Sequence, residues 1–210
     1  MFHLASTRFK SETWDQNCSY KIKHNINGVI YGCPIPINEK YPLNGIIFVI
    51  EMNNDSNEIF GIGVIRNKMI SDKKYYIYNS MEYNRFIYKG DFWLSREQIM
   101  RKNEQVVEVL ENILFKKKSH VKRISGIGII KPKLYSHWKD LPNHNENFLK
   151  TTIKKIFVSH FLDTENNNEN NNEINNEINN EINNEINNEI NNEINNEINN
   201  EINNEIKIII

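Results

Sequence analysis

Two apolar segments joined by a polar turn occupy residues 45–68 and favour folds that are built around a strand pair. The first segment, Ile46–Ile50, is an unbroken run of bulky and β-branched side chains, which is typical of a strand buried on both faces. Residues 53–57 are turn formers, and the apolar pattern resumes over Ile59–Ile65. Two glycines interrupt this second segment, and glycine inside a strand indicates a bulge, a bend or a close backbone approach. A kinked strand pair of this kind suits a small curled sheet or barrel.

Charge divides the sequence into a basic body and an acidic tail. All but one of the 26 Lys and Arg residues lie within residues 1–164, whereas 11 of the 27 Asp and Glu residues lie within residues 165–210. The body therefore carries a charge of about +9 and the tail about −10. From Glu173 the tail repeats Glu-Ile-Asn-Asn, whose period of four drifts around a helix and gives no fixed apolar stripe. We predict an α+β domain over residues 1–164 and a disordered low-complexity tail over residues 165–210.

Further strand and helix patterns surround the central pair. Strands are expected at Phe2–Ala5, Lys73–Asn79, Tyr83–Gly90 and Val121–Lys131. Residues 95–98 (Ser-Arg-Glu-Gln) match a capping box, which opens a helix with apolar positions from residue 99 to residue 114. Short strands with few long helices predict an α+β fold, in which a small, curled, mostly antiparallel β-sheet or barrel carries flanking helices.

The sequence offers few groups for catalysis or metal binding. The two cysteines, Cys18 and Cys33, match no zinc spacing, and the six histidines are scattered. No nucleophile elbow, P-loop or zinc-protease motif is present, and single residues such as Glu51 or His120 are weak grounds for acid–base chemistry. We expect no metal, no cofactor and no enzymatic activity.

No apolar run reaches the roughly 20 residues that a bilayer-spanning helix needs. Two thiols without a signal peptide indicate a reducing compartment. We expect an intracellular protein, cytoplasmic or nuclear, with no membrane partner.

The basic body favours a polyanionic partner. One stretch interleaves aromatic and cationic side chains, and its residues are Tyr83, Arg85, Tyr88 and Lys89. This pattern suits base stacking and phosphate contacts. It equally suits a strand with one face in the core. The densest basic cluster either contacts phosphates or forms a solvated helix end, and its candidate contacts are Lys117, Lys122 and Arg123. Trp14 is either a base-stacking side chain or a helix tryptophan packed on the sheet.

The order of these elements resembles the PUA-like β-barrel superfamily, in particular its EVE and YTH branches. The residues that carry the resemblance are Pro42–Ile65, where a proline turn feeds a bulky strand and a Gly-x-Gly strand follows, and the opening MFHLASTRFKSETW. The resemblance covers residues 1–135 and implies RNA or a modified base held in an aromatic pocket beside the barrel. The positions that match the pocket region of the family are Ser6, Thr7, Trp14 and Asn84. Trp93 and Trp138 have no place on the family pattern.

Two functions therefore compete. The first is a nucleic-acid-binding module whose partner is RNA or another single-stranded nucleic acid. The alternative is a protein–protein interaction module without nucleic-acid binding, in which the basic face docks an acidic partner and the tail mediates weak self-association.

Overall fold

A computed structural model describes residues 2–116, 125–135 and 146–165 of the chain. Residues 2–159 form one compact unit, and of the second unit the structure describes only His160–Glu165, which are helical. The predicted tail lies outside the described residues, apart from Glu165, and so do Lys117, Lys122 and Arg123.

Strands and helices are mixed along the chain, which confirms the predicted α+β class. The strands are β1 (His3–Phe9), β2 (Val29–Cys33), β3 (Ile46–Asn53), β4 (Glu58–Arg66), β5 (Phe86–Gly90), β6 (Phe92–Ser95) and β7 (Gly128–Ile129). The helices are α1 (Ser11–Lys23), α2 (Arg96–Lys102), α3 (Glu104–Phe115), α4 (Pro132–Tyr135) and α5 (Glu146–Glu165), with a 3₁₀ turn at Met81–Asn84. No helix among these residues is long and apolar enough to cross a membrane.

The larger sheet has five strands in the order β6-β4-β3-β1-β7. Strands β1 and β3 run parallel, and the other pairs are antiparallel, so the predicted mostly antiparallel sheet is confirmed. Strands β2 and β5 form a separate antiparallel pair. The described residues form no closed barrel, because the strand ladders of the two sheets stay separate.

A hydrophobic core fills the space between the two sheets. Its members include Ala5 and Val49 from the larger sheet and Tyr31 and Tyr88 from the smaller one. Successive side chains of a strand point to opposite faces, so the alternate residues of β1 and β3 face the other way. Helices α2 and α3 contact β4.

The central strand pair forms as predicted, with Asn57 in the left-handed region (φ 62°) within the turn. Asparagine tolerates this region better than most residues. Glu51 pairs with Gly61 and Met52 pairs with Ile59, so the register shifts between Glu51 and Met52. The residue left over, Phe60, marks the β-bulge that the glycines indicated.

Three of the predicted elements are wrong in detail. The capping box forms, because Ser95 Oγ accepts from the Gln98 N–H and Gln98 Oε1 accepts from the Ser95 N–H. The helix it opens, however, ends at Lys102, since Asn103 leaves the helical conformation and caps α3 by accepting from the Val106 N–H at 3.2 Å. Residues 73–79 belong to no strand, and the predicted strand Tyr83–Gly90 begins only at Phe86.

Candidate functional site

Helix α1 has one face in the core and the other in solvent. On the inner face the buried Asn17 amide donates to the Ile30 carbonyl oxygen at 2.7 Å and to Tyr78 Oη at 3.0 Å. At the start of the helix the Asp55 carboxylate accepts from both the backbone N–H and the Oγ of Ser11, at 2.8 and 2.7 Å. These bonds satisfy a free backbone donor and hold the helix in place, so its outer face is a fixed surface.

Residues 73–79 run alongside α1 without a partner strand. Asn84 Oδ1 accepts from the N–H groups of Ile77 and Tyr78, at 2.9 and 3.0 Å. Gln16 Oε1, from α1, accepts from the Asn79 N–H at 2.9 Å. Side-chain acceptors therefore take the place of a neighbouring strand for three backbone N–H groups and hold the segment beside α1.

Side chains alternate between solvent and the core along residues 74–77. Tyr75 and Ile77 are buried, whereas Lys74 and Tyr76 face solvent, and 59% of Tyr76 is exposed. Lys73 is also exposed and carries its Nζ 5.3 Å from the centre of the Tyr75 ring. The segment thus presents two ammonium groups and one aromatic ring at the surface beside α1.

A groove of about 730 Å³ lies between α1 and residues 73–79. Its walls combine charged, amide, hydroxyl and aromatic side chains, which belong to Glu12, Asp15, Gln16, Ser19, Tyr20, Lys23, His24, Lys73, Lys74, Tyr76, Ile77 and Asn79. Tyr20 and His24 lie one helical turn apart with ring centres separated by 4.2 Å. Cations beside aromatic rings suit a flat ligand that carries an anionic group, and sites for such ligands typically hold roughly 300–1,000 Å³.

The second polar cluster is the buried carboxylate of Glu51, in the middle of the molecule. Only 1% of Glu51 is exposed. Its Oε1 accepts from Tyr31 Oη at 2.8 Å, and its Oε2 accepts from Trp93 Nε1 at 2.7 Å. Both carboxylate oxygens are therefore paired, as a buried charge requires.

The two glycines of β4 make room for these donors. A Cβ on Gly63 would overlap Tyr31 Oη and a methyl group of Val29. A Cβ on Gly61 would overlap the Leu94 carbonyl oxygen and would lie 2.9 Å from Trp93 Nε1. The Gly-Ile-Gly sequence thus serves side-chain packing around Glu51, and nothing about it indicates a ligand site.

Burial raises the pKa of Glu51 above its ordinary value of 4.5, and the hydrogen bonds from Trp93 and Tyr31 and the charge of Lys21 act in the opposite direction. Lys21 Nζ lies 4.9 Å from the Trp93 ring centre and donates to the Gly28 carbonyl oxygen at 3.2 Å. The buried carboxylate contacts protein donors and is closed to solvent. We infer that it stabilises the fold and does not touch a ligand.

The raised pKa of Glu51 predicts a specific pH dependence of stability. Because the folded state binds the Glu51 proton more tightly than the unfolded chain, the contribution of Glu51 is largest below the ordinary glutamate pKa and is lost as pH rises through the folded-state pKa. The E51Q variant cannot titrate at this position. Urea denaturation between about pH 4 and pH 8 should show the stability of the wild type falling relative to E51Q as pH rises. Parallel curves for the two proteins would contradict the prediction.

Trp14 lies on α1, half-buried, and its ring is covered on one side. It stacks on Phe60, the bulge residue, with ring centres 4.0 Å apart and planes 1° apart. Phe9 meets Trp14 edge-on at 5.2 Å. Of the two interpretations of Trp14, this packing favours the helix tryptophan that packs on the sheet.

Ser6 and Thr7 lie on opposite faces of β1, so the structure does not bring them together. Thr7 pairs with Glu51 in register and lies on the same face as Ala5, which belongs to the core between the sheets. Ser6 lies on the other face, where its buried Oγ has no hydrogen-bond partner among the described residues. Both residues are buried, at 1% and 8% exposed for Ser6 and Thr7.

The remaining predicted contacts have different surroundings. Tyr88 is buried and its Oη accepts from the Ile37 N–H, and Asn84 uses its whole amide to hold residues 77–80. Tyr83 is 39% exposed on the 3₁₀ turn, 6.1 Å from the Tyr78 ring. The cations of this group, Arg85 and Lys89, are both exposed. The structure therefore gathers none of these residues into the groove.

The groove residues were missed at the sequence level. The signal was present in the run KKYYIYN at residues 73–79, where two lysines precede aromatic side chains. The run has the composition of a strand, and the site candidate that the sequence indicates on the facing helix is Trp14. The groove appears only when Gln16 and Asn84 fix the segment beside α1.

No group of three or more His, Cys, Asp or Glu side chains is arranged to hold a metal ion in the described part of the chain. Comparison of the chain with models of known protein families, with curated proteins and with solved structures finds no match.

Proposed function

We propose that the body of the chain binds single-stranded nucleic acid, with RNA as the first ligand to test, in the groove between α1 and residues 73–79. The observation that carries the proposal is that three lysines line the same groove as exposed aromatic side chains. These lysines are Lys23, Lys73 and Lys74. The excess positive charge of residues 1–164 supports the same partner. The resemblance to PUA-like RNA-binding domains is part of this proposal.

The two halves of a nucleotide need different groups, and the groove offers both. Phosphates attract ammonium groups and release counterions on binding, so affinity falls with salt. Bases stack on aromatic rings, and each stacked base contributes about 1–3 kcal/mol. Tyr76 is 59% exposed and lines the groove, and it is the side chain that we assign to stacking.

The lysine contribution can be tested with a double variant. We expect K73A/K74A to weaken the binding of a fluorescent single-stranded RNA and to reduce the salt slope of the binding constant by roughly 0.7 for each lysine that contacts a phosphate. K40A/K68A removes the same charge from exposed positions that do not line the groove and should retain most of the affinity. Fluorescence anisotropy titrations at several salt concentrations give both quantities.

Two outcomes would contradict the proposal. If both double variants weaken binding equally, general charge and not the groove binds the ligand. If the wild type shows no salt-dependent binding to single-stranded RNA or DNA, the protein–protein interaction module replaces the nucleic-acid-binding module.

A further inference from the structure

The charge of the groove is polarised along α1. Glu12 and Asp15 lie on the N-terminal half of the helix, and Lys23 and His24 lie at its C-terminal end. The facing segment runs in the opposite direction, because Asn79 bonds to Gln16 whereas Asp72 lies close to Tyr20. Lys73 and Lys74 therefore line the C-terminal part of the groove. Asp15 and Lys23 are eight positions apart in the sequence, which corresponds to about 12 Å along the helix axis. This length is comparable to one nucleotide measured from its phosphate to the pairing edge of its base.

We propose that the acidic end of the groove reads the pairing edge of one base and selects guanine. This inference rests on the proposed function of the groove. The carboxylates repel phosphate, so a bound nucleotide places its phosphate at the lysine end and its base at the carboxylate end. Stacking on Tyr76 holds the plane of the base between these two ends of the groove.

The chemistry of a carboxylate decides which base fits. A carboxylate only accepts hydrogen bonds and has about four lone-pair sites on two oxygens. Guanine presents two adjacent donors on its pairing edge, N1–H and the N2 amino group, which match the two oxygens of one carboxylate. Adenine and cytosine each offer an amino group next to an acceptor nitrogen, and uracil offers one N–H between two carbonyl oxygens, which a carboxylate repels.

The neighbouring Gln16 amide leaves the carboxylates at this end of the groove able to accept further hydrogen bonds. Gln16 Nε2 donates to Glu12 Oε1 at 3.0 Å, and Gln16 Oε1 accepts from the Asn79 N–H. The amide is thus fixed at both ends and orients the Glu12 carboxylate, whose other oxygen and remaining lone pairs keep acceptor capacity. Asp15 lies three residues further along the same face.

The test uses wild-type full chain and a matched set of five-nucleotide RNAs, U-U-X-U-U, with X as guanine, inosine or uracil. Inosine lacks only the N2 amino group of guanine. We expect the guanine RNA to bind about tenfold more tightly than the inosine or uracil RNA, since a bidentate base contact discriminates by roughly one to two orders of magnitude. Equal affinities for the three RNAs would overturn the inference.

A pair of variants locates the selection. E12Q/D15N should bring the guanine and inosine RNAs close to equal affinity while general binding becomes tighter, because two repulsive charges are removed. E82Q/D91N changes two exposed acidic residues that do not line the groove and should keep the preference. If E12Q/D15N keeps the full preference, the carboxylates do not read the base.

The outcomes separate this inference from the function on which it rests. Salt-dependent binding that K73A/K74A weakens, but with no preference among the three RNAs, overturns the base selection and supports the nucleic-acid groove. No binding to any of the RNAs overturns both. The comparison of guanine with inosine needs only the wild type, so it holds even if a variant does not fold.

Discussion

Replacing Glu51 with alanine is expected to lower the free energy of unfolding by about 2–6 kcal/mol, because it leaves two donors without an acceptor and each buried unpaired donor costs about 1–3 kcal/mol. The donors are Tyr31 Oη, fully enclosed in the core, and Trp93 Nε1, in a half-buried ring. The small alanine side chain also opens a polar cavity between the two sheets, which adds to the loss. The measurement is urea denaturation of the full chain at neutral pH.

The E51Q variant is the matched control for this experiment. A glutamine in the same place keeps its oxygen as acceptor for Trp93 Nε1, and its amide can donate to Tyr31 Oη once the hydroxyl rotates. Because Trp93 Nε1 keeps its acceptor, Tyr31 Oη gains a donor and the buried charge is gone, E51Q should be far more stable than E51A. If E51A unfolds at the same urea concentration as the wild type, or if E51Q is as unstable as E51A, the hydrogen bonds of Glu51 do not hold the core together.

The central strand pair could be predicted from the sequence because its signals are local. An unbroken apolar run, a turn-forming stretch and a second apolar run indicate two antiparallel neighbours, whatever surrounds them. The same local rule identified the capping box at Ser95. The rule does not show that the helix ends at Lys102. Asn103 has helical neighbours on both sides, but its side chain bonds to a backbone N–H group and so begins a new helix.

Contacts between distant residues explain the larger errors. Residues 73–79 have strand-like composition, yet their backbone donors bond to Gln16 and Asn84 and not to a strand, which no local pattern could show. The glycines of β4 favour a curled sheet or barrel, because glycine inside a strand indicates a bulge or a bend. In the structure the same glycines give space to Tyr31 and Trp93, which lie 30 or more positions away in the sequence, and the two sheets stay separate.

The sequence indicates the types of side chain in the candidate site, but it does not indicate where the site lies. Basic charge and aromatic residues in the sequence favour an anionic partner, and that partner stays a prediction. Tyr88 and Trp14, however, carry aromatic surface that the fold uses for packing, and Tyr76 carries aromatic surface that it leaves in solvent. Aromatic side chains that pack in the fold and aromatic side chains that stay in solvent look alike in the sequence. Which of them become buried depends on which helix and which segment lie side by side.

Replacing Gly63 with alanine is expected to lower the free energy of unfolding by about 3–5 kcal/mol, which combines overpacking with the loss of a hydrogen bond to a charged group. The added methyl group would overlap Tyr31 Oη and Val29, both in the core, where neither can move away without disturbing β2. The hydroxyl that would have to move is the one that donates to Glu51. A substitution that adds one methyl group therefore affects the buried carboxylate as well as the packing.

Two comparisons make this last prediction specific. G45A adds the same methyl group at the start of β3, where the nearest atom would lie 3.1 Å away, so it should cost much less than G63A in the same urea titration. The Y31F variant removes the hydroxyl that the Gly63 methyl group would overlap, so G63A should destabilise a Y31F protein less than it destabilises the wild type. The overlap with Val29 remains in that background, so part of the cost persists. If G63A and Y31F lower the stability additively, the methyl group does not act through Tyr31 and Glu51.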